Sequence, residues 1–310
     1  MRNALTRVEA GLRAWADARL AGRRGPLVEL LVFAVKQAWA AIFGGLLLGL
    51  FLLLRHYPAD AVVSRPDLLT LLAVVIQLAM LVLGLETVRE LRVVLLFHVV
   101  GTVMELFKTA AGSWAYPAEG VLRVGEVPLY SGFMYAAVGS YMVRVHRLFD
   151  LRFDRWPRRW LTALLAAAIY VNFFSHHWWW DARWVLVALV AVTWGRSVMH
   201  YRVHDRAHRM PVLVSFLLVA LVIWLAENVA TFAGAWFYPG QELAWELVHP
   251  AKISSWFLLM IISVVLVTWV YPPRERAVAA AAQEATGQQP ARGEAGPAPA
   301  RDLGEGGGVP

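Results

Sequence analysis

The sequence predicts an all-α fold, a polytopic membrane helix bundle of about eight transmembrane helices formed by two parallel four-helix repeats. Three observations predict this class. The chain is 59% hydrophobic with a mean hydropathy of +0.54, whereas soluble domains contain about 45–50% apolar residues. Its apolar residues gather in runs of roughly 18–25, long enough to cross a hydrocarbon core of about 30 Å as helices. A motif of polar and aromatic residues also occurs twice.

Eight predicted spans follow one another along the chain, each an apolar run between charged or turn-forming residues. The sixth is the weakest, because it is short and ends in a polar run. The alternating segments of about ten residues that a membrane β-barrel requires are not seen in the sequence. The spans are placed at 28–54, 68–86, 92–112, 128–147, 159–177, 182–199, 211–235 and 250–271.

The spans divide the chain into four regions. Residues 1–27 carry six arginines among apolar residues at near-helical spacing, which indicates an amphipathic helix on an anionic leaflet or else a basic tail. Residues 28–148 form the first four-helix repeat, and residues 149–273 form the second. Residues 274–310 are rich in small and polar residues and cannot bury a core, so we expect a disordered cytoplasmic tail.

The charge distribution indicates membrane topology. The net charge is +7, but the arginines gather in alternate connections between the apolar runs rather than in a patch that would bind nucleic acid. Both termini are therefore predicted to be cytoplasmic, and Lys36 and Glu86 are expected to pair near that side. The absence of cysteine excludes disulfides, thiol nucleophiles and cysteine-bound zinc. The expected partner is membrane lipid, with no nucleic acid and no cofactor; the oligomeric state is left open.

An internal repeat relates the two halves of the chain. The motif copies align without gaps at an offset of 122 residues, and they read Glu105-Leu-Phe-Lys-Thr-Ala-Ala-Gly-Ser-Trp-Ala-Tyr-Pro117 and Glu227-Asn-Val-Ala-Thr-Phe-Ala-Gly-Ala-Trp-Phe-Tyr-Pro239. The same offset carries Pro128, which opens the fourth span, onto Pro250, which opens the eighth. Because four spans are an even number, the copies are expected to have the same orientation, related by an axis along the membrane normal.

The acid of the motif is the main candidate for a functional group. Glu105 and Glu227 lie inside predicted spans, where a charge costs about 2.5–3.5 kcal/mol and therefore faces a bundle interior or a cavity. Lys108 shares a helical face with Glu105, and Lys252 could supply a cation to Glu227, so two ion pairs are expected. The four residues are interpreted either as catalytic or transport groups or as structural ion pairs between the halves.

The aromatic residues of the motif are typical of an interface anchor. A Trp or Tyr at the outer interface buries its ring and keeps its polar tip in water, while the Gly and Pro end the helix. The same side chains are candidates for binding a substrate, together with polar residues on the same helical faces and with Tyr135 of the fourth span. The candidate substrate-binding residues are His98, Trp114, Tyr116, Asn228, Thr231, Trp236 and Tyr238.

Two histidine groups are weak candidates for a metal site. His176, His177 and Asp181 share a short outer turn, but adjacent histidines point apart on a helix, and an aromatic interfacial cap with hydrogen-bonded histidines is favoured. Three more histidines are spaced by four residues and would share one helical face, as in a desaturase histidine box. A solvated or headgroup-facing helix is favoured there, and these residues are His200, His204 and His208.

Several motifs together resemble the bacterial domain-of-unknown-function family 817. They are Leu-Phe-His98, Met-Glu105-Leu-Phe-Lys108, Gly112-Ser-Trp-Ala-Tyr-Pro117, Val-Pro128-Leu-Tyr-Ser-Gly-Phe-Met-Tyr135, Asn172-Phe-Phe-Ser-His-His177 and Ala-Glu227-Asn-Val-Ala-Thr-Phe. The likeness covers about residues 28–273. It implies a multi-pass protein of the bacterial cytoplasmic membrane without an established activity, and so adds no catalytic residue.

A looser resemblance is to membrane-embedded lycopene cyclases and carotenoid hydratases, which repeat an acid, a Gly-x-Trp-x-Tyr motif and a span that begins with Pro. The cyclases carry a Pro-x-Glu-Glu element. This chain has Pro128-Leu-Tyr-Ser and Pro250-Ala-Lys-Ile at the corresponding places, so the acid pair is missing. Proton-driven cyclisation is therefore not expected.

Three classes of function remain open from the sequence. The chain is either an enzyme that acts on a lipid or isoprenoid with Glu105 and Glu227 as acid and base, a transporter or channel that uses the same Glu and Lys cluster, or a structural or sensory membrane protein.

Overall fold

The computed structural model describes residues 25–204, 206–241 and 243–275, and this part of the chain is mostly helical. Most of the predicted amphipathic segment and of the predicted tail lies outside the described residues. The described part holds nine helices and five short strands. The helices are α1 Pro26–Ala40, α2 Ile42–Leu53, α3 Arg65–Val82, α4 Val88–Ala110, α5 Tyr130–Leu148, α6 Arg159–Ser175, α7 Arg183–Trp194, α8 Val212–Phe232 and α9 Lys252–Val270.

Local sequence signals set the starts of two central helices. Ser64 caps α3, because its side chain accepts a hydrogen bond from the backbone N–H of Asp67, and a proline lies in the first turn. The helix α4 opens with a capping box, in which Thr87 and Glu90 each accept a hydrogen bond from the other's backbone N–H. These two helices therefore begin at positions fixed by short-range bonds.

The helices occupy the positions of the predicted spans, but only some are long and apolar enough to cross a membrane. Within the described residues α3, α4, α8 and α9 meet that requirement, and α1 with α2, which meet at a bend of 70°, make a fifth if they form one span. The helices α6 and α7 are apolar but hold only 17 and 12 residues, about 26 and 18 Å at 1.5 Å per residue. Four or five candidate spans are supported, and a total of eight stays a prediction.

Two small antiparallel sheets lie at connections between helices. In the first, β1 (Arg123–Val124) pairs with β2 (Val127–Pro128). The second has three strands in the order β3 (Arg152–Asp154), β4 (Val198–Arg202) and β5 (Ala207–Pro211). The sheets satisfy backbone groups where the chain leaves the helices.

The prediction that the histidines at 200, 204 and 208 share a helical face is wrong. His200 lies on β4 and its ring nitrogen is 2.6 Å from a carboxylate oxygen of Asp154, whereas His208 lies on β5 and is 3.2 Å from Glu29. The sixth predicted span also ends early, because α7 stops at Trp194. The residues beyond it are polar, so they pair as a hairpin instead of continuing an apolar helix.

The helices α4 and α5 are in close contact, and this contact depends on two glycines. A Cβ atom at Gly101 would lie 2.4 Å from Cγ of Tyr135, and one at Gly132 would lie 2.5 Å from the ring of His98. Distances this short cannot be accommodated without movement, so only glycine allows the two helices to approach. The contact places Tyr135 beside the motif acid of α4.

Arg65 joins the two halves of the chain at one end of the bundle. Its guanidinium donates to the carbonyl oxygens of Leu54, at the end of α2, and of Ala233 and Gly234, just after α8, at 2.6–2.7 Å. A cation is favoured at the carbonyl end of a helix, where backbone acceptors are left unpaired. Arg65 therefore ties α3 to two helix ends.

A buried ion pair ties the connection between α3 and α4 to α5, and it corrects one prediction. Glu86 is bound by Arg144 at 3.4 Å and by Gln77 at 2.5 Å, and Ser140 donates to the same carboxylate. The predicted pair between Lys36 and Glu86 is wrong, since the Lys36 ammonium contacts the carbonyl oxygens of residues 202 and 203. Arg144 reaches Glu86 because it lies on α5, which packs against α4, and Glu86 stands just before the start of α4.

Candidate functional site

Glu105 is held by three aromatic donors. It is 3% exposed on α4. Beyond the helix end Gly112 adopts a positive φ of 68°, which turns the chain back. Trp114 Nε1 and Tyr116 Oη then donate to Oε2 of Glu105 at 2.6 and 2.7 Å, and Tyr135 Oη of α5 donates to Oε1 at 2.6 Å. The buried carboxylate therefore has a partner for both oxygens.

Glu227 has a corresponding environment on α8. It is also 3% exposed, and Gly234 turns the chain at φ 69°. Tyr238 donates its hydroxyl to Oε1, and Trp256 Nε1 of α9 donates to Oε2 at 2.6 Å. Both motif acids are thus bound by N–H and O–H groups of aromatic side chains.

The two motif segments meet each other. The N–H of Ala115 donates to the carbonyl of Phe237, and the N–H of Phe237 donates to the carbonyl of Ala115, both at 2.9 Å. Phe237 stands 122 residues after Ala115, the offset at which the motifs align. The rings of Trp114 and Tyr238 lie 6.1 Å apart at 80°, an edge-to-face contact. The two acids therefore belong to one aromatic cluster.

The prediction that the polar tips of the motif aromatics remain in water is wrong for Trp114, Tyr116 and Tyr238, because those tips bind Glu105 or Glu227. Burial raises the pKa of Tyr116 and of Tyr238 well above that of a free tyrosine, and the carboxylate charge beside each adds to the effect. Both phenols are therefore protonated donors at physiological pH. The buried carboxylates accept the hydrogen bonds that water would accept at a membrane interface.

The two predicted ion pairs are not the contacts that the lysines make. The Lys108 ammonium lies 2.9 Å from Nε2 of His177 and 4.2 Å from the ring centre of Phe173. The Lys252 ammonium lies 4.2 Å from the ring centre of Tyr238 and 5.6 Å from that of Trp114. The reason is that the carboxylates are already bound by aromatic donors. Since an ammonium only donates, Nε2 of His177 must be the acceptor.

One cavity of about 1130 Å³ connects the acids and the lysines. Its wall is mostly apolar, made by aliphatic and aromatic side chains of α2, α5, α8 and α9. At one end it reaches Phe33, Met199 and Tyr201 near the three-stranded sheet, and at the other it reaches the motif segments. The carboxylates, lysines and arginine on the wall lie at that second end, whereas Gln37, Tyr141 and His146 lie toward the sheet end. The groups at the second end include Glu105, Lys108, Tyr135, Asn172, His176, His177, Arg183, Glu227 and Lys252.

Comparison with known proteins gives a match over most of the chain. The model of a family described as "Protein of unknown function (DUF817)" matches residues 29–264. The chain belongs to the DUF817 family. The family expected from the motifs is thereby confirmed, and the looser likeness to lycopene cyclases stays a prediction.

The comparisons also give a relative and a solved structure. A relative, the uncharacterised protein YoaT of Bacillus subtilis (strain 168), is 42% identical over 248 residues, which cover 80% of this chain and 94% of that protein. Among solved structures, a cross-linked MvINS trimer at 1.9 Å is similar with a TM-score of 0.42 and 16% identity, over 60% of this chain and 95% of that one.

Four of the predicted substrate-binding residues of this DUF817 chain do not line the cavity, and one of them, Tyr116, donates to Glu105. His98 packs on Phe133 with ring centres 4.8 Å apart. Asn228 accepts from the N–H of Val248 at 2.8 Å, and Thr231 accepts from the indole of Trp245 at 3.1 Å. Asn228 and Thr231 thus hold the connection before α9. Trp114, Trp236 and Tyr238 do line the cavity.

The histidine turn of the DUF817 protein, between α6 and α7, is held by its own hydrogen bonds. His176 Nδ1 is 3.0 Å from the carbonyl of Asn172, and the Asp181 carboxylate binds the Asn172 amide at 3.2 Å and the Arg183 guanidinium at 3.3 Å. His176 and His177 lie with ring centres 4.2 Å apart. In the described part of the chain no three His, Asp or Glu residues are grouped as metal ligands would be.

Two site residues of the DUF817 chain were not among the candidates from sequence. Trp256 completes the environment of Glu227, and Arg183 lines the charged end of the cavity. The internal repeat gives an indirect sequence signal for Trp256. The offset of 122 carries Tyr135 onto Phe257, which has no donor, and Trp256 is its neighbour. No comparable signal marks Arg183, which lies outside both motif copies.

Proposed function

We propose that the chain is an integral membrane protein that binds a lipid or isoprenoid in the cavity and acts on it by proton transfer, with Glu105 and Glu227 as acid and base. The observation that carries the proposal is that two buried carboxylates lie on the wall of one largely apolar cavity. Buried carboxylates are costly, so their presence on the wall of an apolar cavity favours a role in chemistry.

The surface of the helices supports the membrane part of the proposal. Only 28–39% of the most apolar window in each of the four candidate spans is buried inside the fold. Large apolar side chains such as Leu53, Val82 and Val192 are about 80% exposed. A water-soluble monomer seldom exposes contiguous apolar area of this extent. We propose a location in the bacterial cytoplasmic membrane, with eight spans and both termini in the cytoplasm.

Several features support the two-repeat organisation as part of this proposal. The motif acids, the turning glycines with φ of 68° and 69°, and the carboxylate-binding tyrosines stand 122 residues apart. Reciprocal hydrogen bonds between Ala115 and Phe237, a pair with the same separation, are what a local two-fold axis produces. Such an axis along the membrane normal would bring both acids to one end of the bundle.

The chemistry follows from the environment of the acids. Each carboxylate is bound by neutral O–H and N–H groups, so no ammonium blocks proton exchange with a substrate. One acid, when protonated, gives its proton to one atom of the substrate, and the other, when ionised, removes a proton from a second atom. The net change is an isomerisation, which balances without a cofactor. The cavity volume, about 1130 Å³, exceeds the roughly 300–1,000 Å³ of pockets for drug-sized ligands.

The proposal is tested by replacing each acid and analysing membrane lipids. Cells that lack the chromosomal copy express the wild-type chain, Glu105→Gln or Glu227→Gln, and extracted lipids and isoprenoids are compared by mass spectrometry. We expect one species to depend on the wild-type chain and to change at least tenfold in both variants, since removal of an acid–base group costs about 10²–10⁴ in rate.

The control for this test is Glu126→Gln on the β1–β2 hairpin, because that side chain is 81% exposed. Folding of every variant is checked by thermal melting of the purified protein. Tyr135→Phe gives a milder variant that keeps both acids and removes one donor from Glu105. Normally folded Glu105→Gln and Glu227→Gln proteins with unchanged lipids would contradict the enzymatic role.

Transport is the second candidate, because the cavity reaches both ends of the helices, from Tyr201 beside the three-stranded sheet to Lys252 at the motif end. The same acids would then bind a proton or a substrate group on a path across the membrane. Movement of a fluorescent lipid between leaflets of reconstituted vesicles distinguishes the two functions. Wild-type transport that both Gln variants abolish would favour this candidate over the enzyme.

A further inference from the structure

We propose that the charged end of the cavity is a subsite for a phosphate group, formed by Lys108, Arg183 and Lys252, that binds the headgroup of the amphiphile whose chain fills the apolar part. This inference rests on the proposed function for the chain-binding cavity, and it adds the chemical class of the ligand. All three cations lie on the cavity wall.

Lys108 is the central observation. It is 3% exposed, yet within the described residues its ammonium has one hydrogen-bond acceptor, Nε2 of His177. An ammonium carries three N–H donors, so two of them have no acceptor. A buried cation without a carboxylate partner is costly. The cost is offset if an anion binds in the cavity beside it.

Lys252 is in a similar position on α9. Its ammonium lies over the faces of Tyr238 and Trp114, at 4.2 and 5.6 Å from the ring centres. In the described part of the chain it makes no hydrogen bond and no ion pair. Contact with an aromatic face stabilises the charge by about 0.5–2 kcal/mol and leaves the N–H groups available to a ligand.

The charges around the subsite are arranged to leave room for an anion. The positive charges of Lys108, Arg183 and Lys252 repel one another. Asp181 binds Arg183 at 3.3 Å and also attracts Lys108. Glu227 attracts Lys252 through space, although its oxygens are bound by Tyr238 and Trp256.

Glu105 completes the set of acids near the subsite, and its oxygens are bound by aromatic donors. The cations and acids are therefore equal in number, but neither lysine has a carboxylate within ion-pair distance among the described residues. A phosphate oxygen reaching this point would accept from the free ammonium N–H groups without displacing a bond of either glutamate. Charge-assisted bonds of this kind are about twice as strong as neutral ones.

The ligand class follows from the two parts of the cavity together. Lysine binds phosphate as a point charge, and Arg183 adds a planar donor. The remainder of the wall is mostly apolar and has no carboxylate, lysine or arginine near Phe51, Met134 or Leu258. Its few polar side chains toward the sheet end include His146 and the pair Gln37 and Tyr141, which hydrogen-bond to each other. An amphiphile with one phosphate end and one long hydrocarbon end therefore fits better than a free anion.

The test uses purified full-length protein in detergent and measures binding of dodecyl phosphate, dodecanol and inorganic phosphate. We expect dodecyl phosphate to bind wild type most tightly and to bind Lys108→Gln and Lys252→Gln at least tenfold more weakly, in line with the loss of a hydrogen bond to a charged group. Dodecanol should bind all these proteins alike. Lys252→Arg, which keeps the charge, should retain binding.

Lys36→Gln is the matched control, because this lysine lies at the sheet end of the fold and contacts the carbonyls of residues 202 and 203. Thermal melting supplies a second readout. Lys108→Met should melt at the same or a higher temperature than wild type without ligand, because it removes an uncompensated buried charge. A large loss of stability would show that Lys108 is structural and would overturn the subsite.

The binding results distinguish failure of the phosphate subsite from failure of the proposed function. If the wild-type protein bound dodecyl phosphate and dodecanol equally, and the lysine variants did the same, the phosphate subsite would be overturned. The proposal that the cavity binds a hydrocarbon chain would be unaffected. No binding of either twelve-carbon ligand would contradict the proposed function itself. Inorganic phosphate that binds as tightly as dodecyl phosphate would overturn the headgroup assignment in favour of free phosphate.

Discussion

At the scale of single residues, the protein separates its buried charges into two kinds. Glu86 and Arg144 pair with each other, each with a side chain 1% exposed. Glu105 and Glu227 instead bind aromatic N–H and O–H groups, and Lys108 has no carboxylate partner in the described part of the chain. A buried charge with a purely structural role is stabilised by a direct partner, whose loss would be costly. Acids and cations that are kept apart beside a cavity remain available to a ligand.

The structural pair gives a prediction for stability. We expect Arg144→Met to lower the free energy of unfolding by about 3–5 kcal/mol, because it leaves the Glu86 charge buried without its cation. Arg274→Met is the control, since its pair with Asp150 spans 3.5 Å and its side chain is 71% exposed. That variant should lose less than about 1 kcal/mol.

Denaturation of the purified protein in detergent measures both changes. The double variant Arg144→Met with Glu86→Leu should recover most of the lost stability, because it removes both charges together. A double variant no more stable than Arg144→Met alone would contradict the assignment of this pair as the source of the loss.

At the scale of elements, the contact between α4 and α5 positions the site. Gly101 allows α5 to approach closely enough for Tyr135 to reach Glu105. In the second half the donor role passes to Trp256, because Phe257 stands at the position that corresponds to Tyr135. The packing of α4 on α5 and of α8 on α9 therefore determines which donors each acid receives.

Two helical glycines test this dependence. Gly101→Ala would place its Cβ 2.4 Å from Tyr135, so we expect a loss of about 1–3 kcal/mol from overpacking and a displaced Tyr135 hydroxyl. Gly45→Ala in α2 is the matched control, because no atom lies within 4 Å of its Cβ position. It should be neutral or stabilising by up to about 1 kcal/mol.

Thermal unfolding gives the stability of both glycine variants, and tyrosine fluorescence or a crystal structure reports the position of Tyr135. If Gly101→Ala proved as stable as Gly45→Ala with Tyr135 still bound to Glu105, the close approach of α4 and α5 would not be needed for the site.

At the scale of the whole molecule, the connections between helices gather at two ends. At one end Arg65 binds the carbonyls of Ala233 and Gly234, and Asp67 binds the N–H groups of residues 121 and 122. At the other end the three-stranded sheet contacts the residues that follow α9, where Phe153 N–H donates to the carbonyl of Arg274. These two groups of connections therefore lie at opposite ends of the helices, which is compatible with helices that cross a membrane.

This arrangement predicts the sidedness of labelling. The chain has no cysteine, so one substitution supplies the only thiol. We expect Val62→Cys and Leu243→Cys, both at fully exposed positions, to react with a membrane-impermeant maleimide in intact spheroplasts. Arg274→Cys should react only after lysis, because positively charged connections face the cytoplasm. Labelling of Arg274→Cys from outside would contradict the predicted orientation.

The sequence by itself determined the helical class, the family, the two motif copies and the choice of Glu105 and Glu227 as acids that must be buried. These follow from apolar runs and repeated spacing, which act along one segment at a time. The tertiary structure decided the partners. Two charges three residues apart on α4, Glu105 and Lys108, were expected to pair, but aromatic donors from other segments bind the acid and His177 binds the lysine. Which groups come into contact depends on how closely the helices pack. The spacing of residues along one helix does not specify the distance between helices.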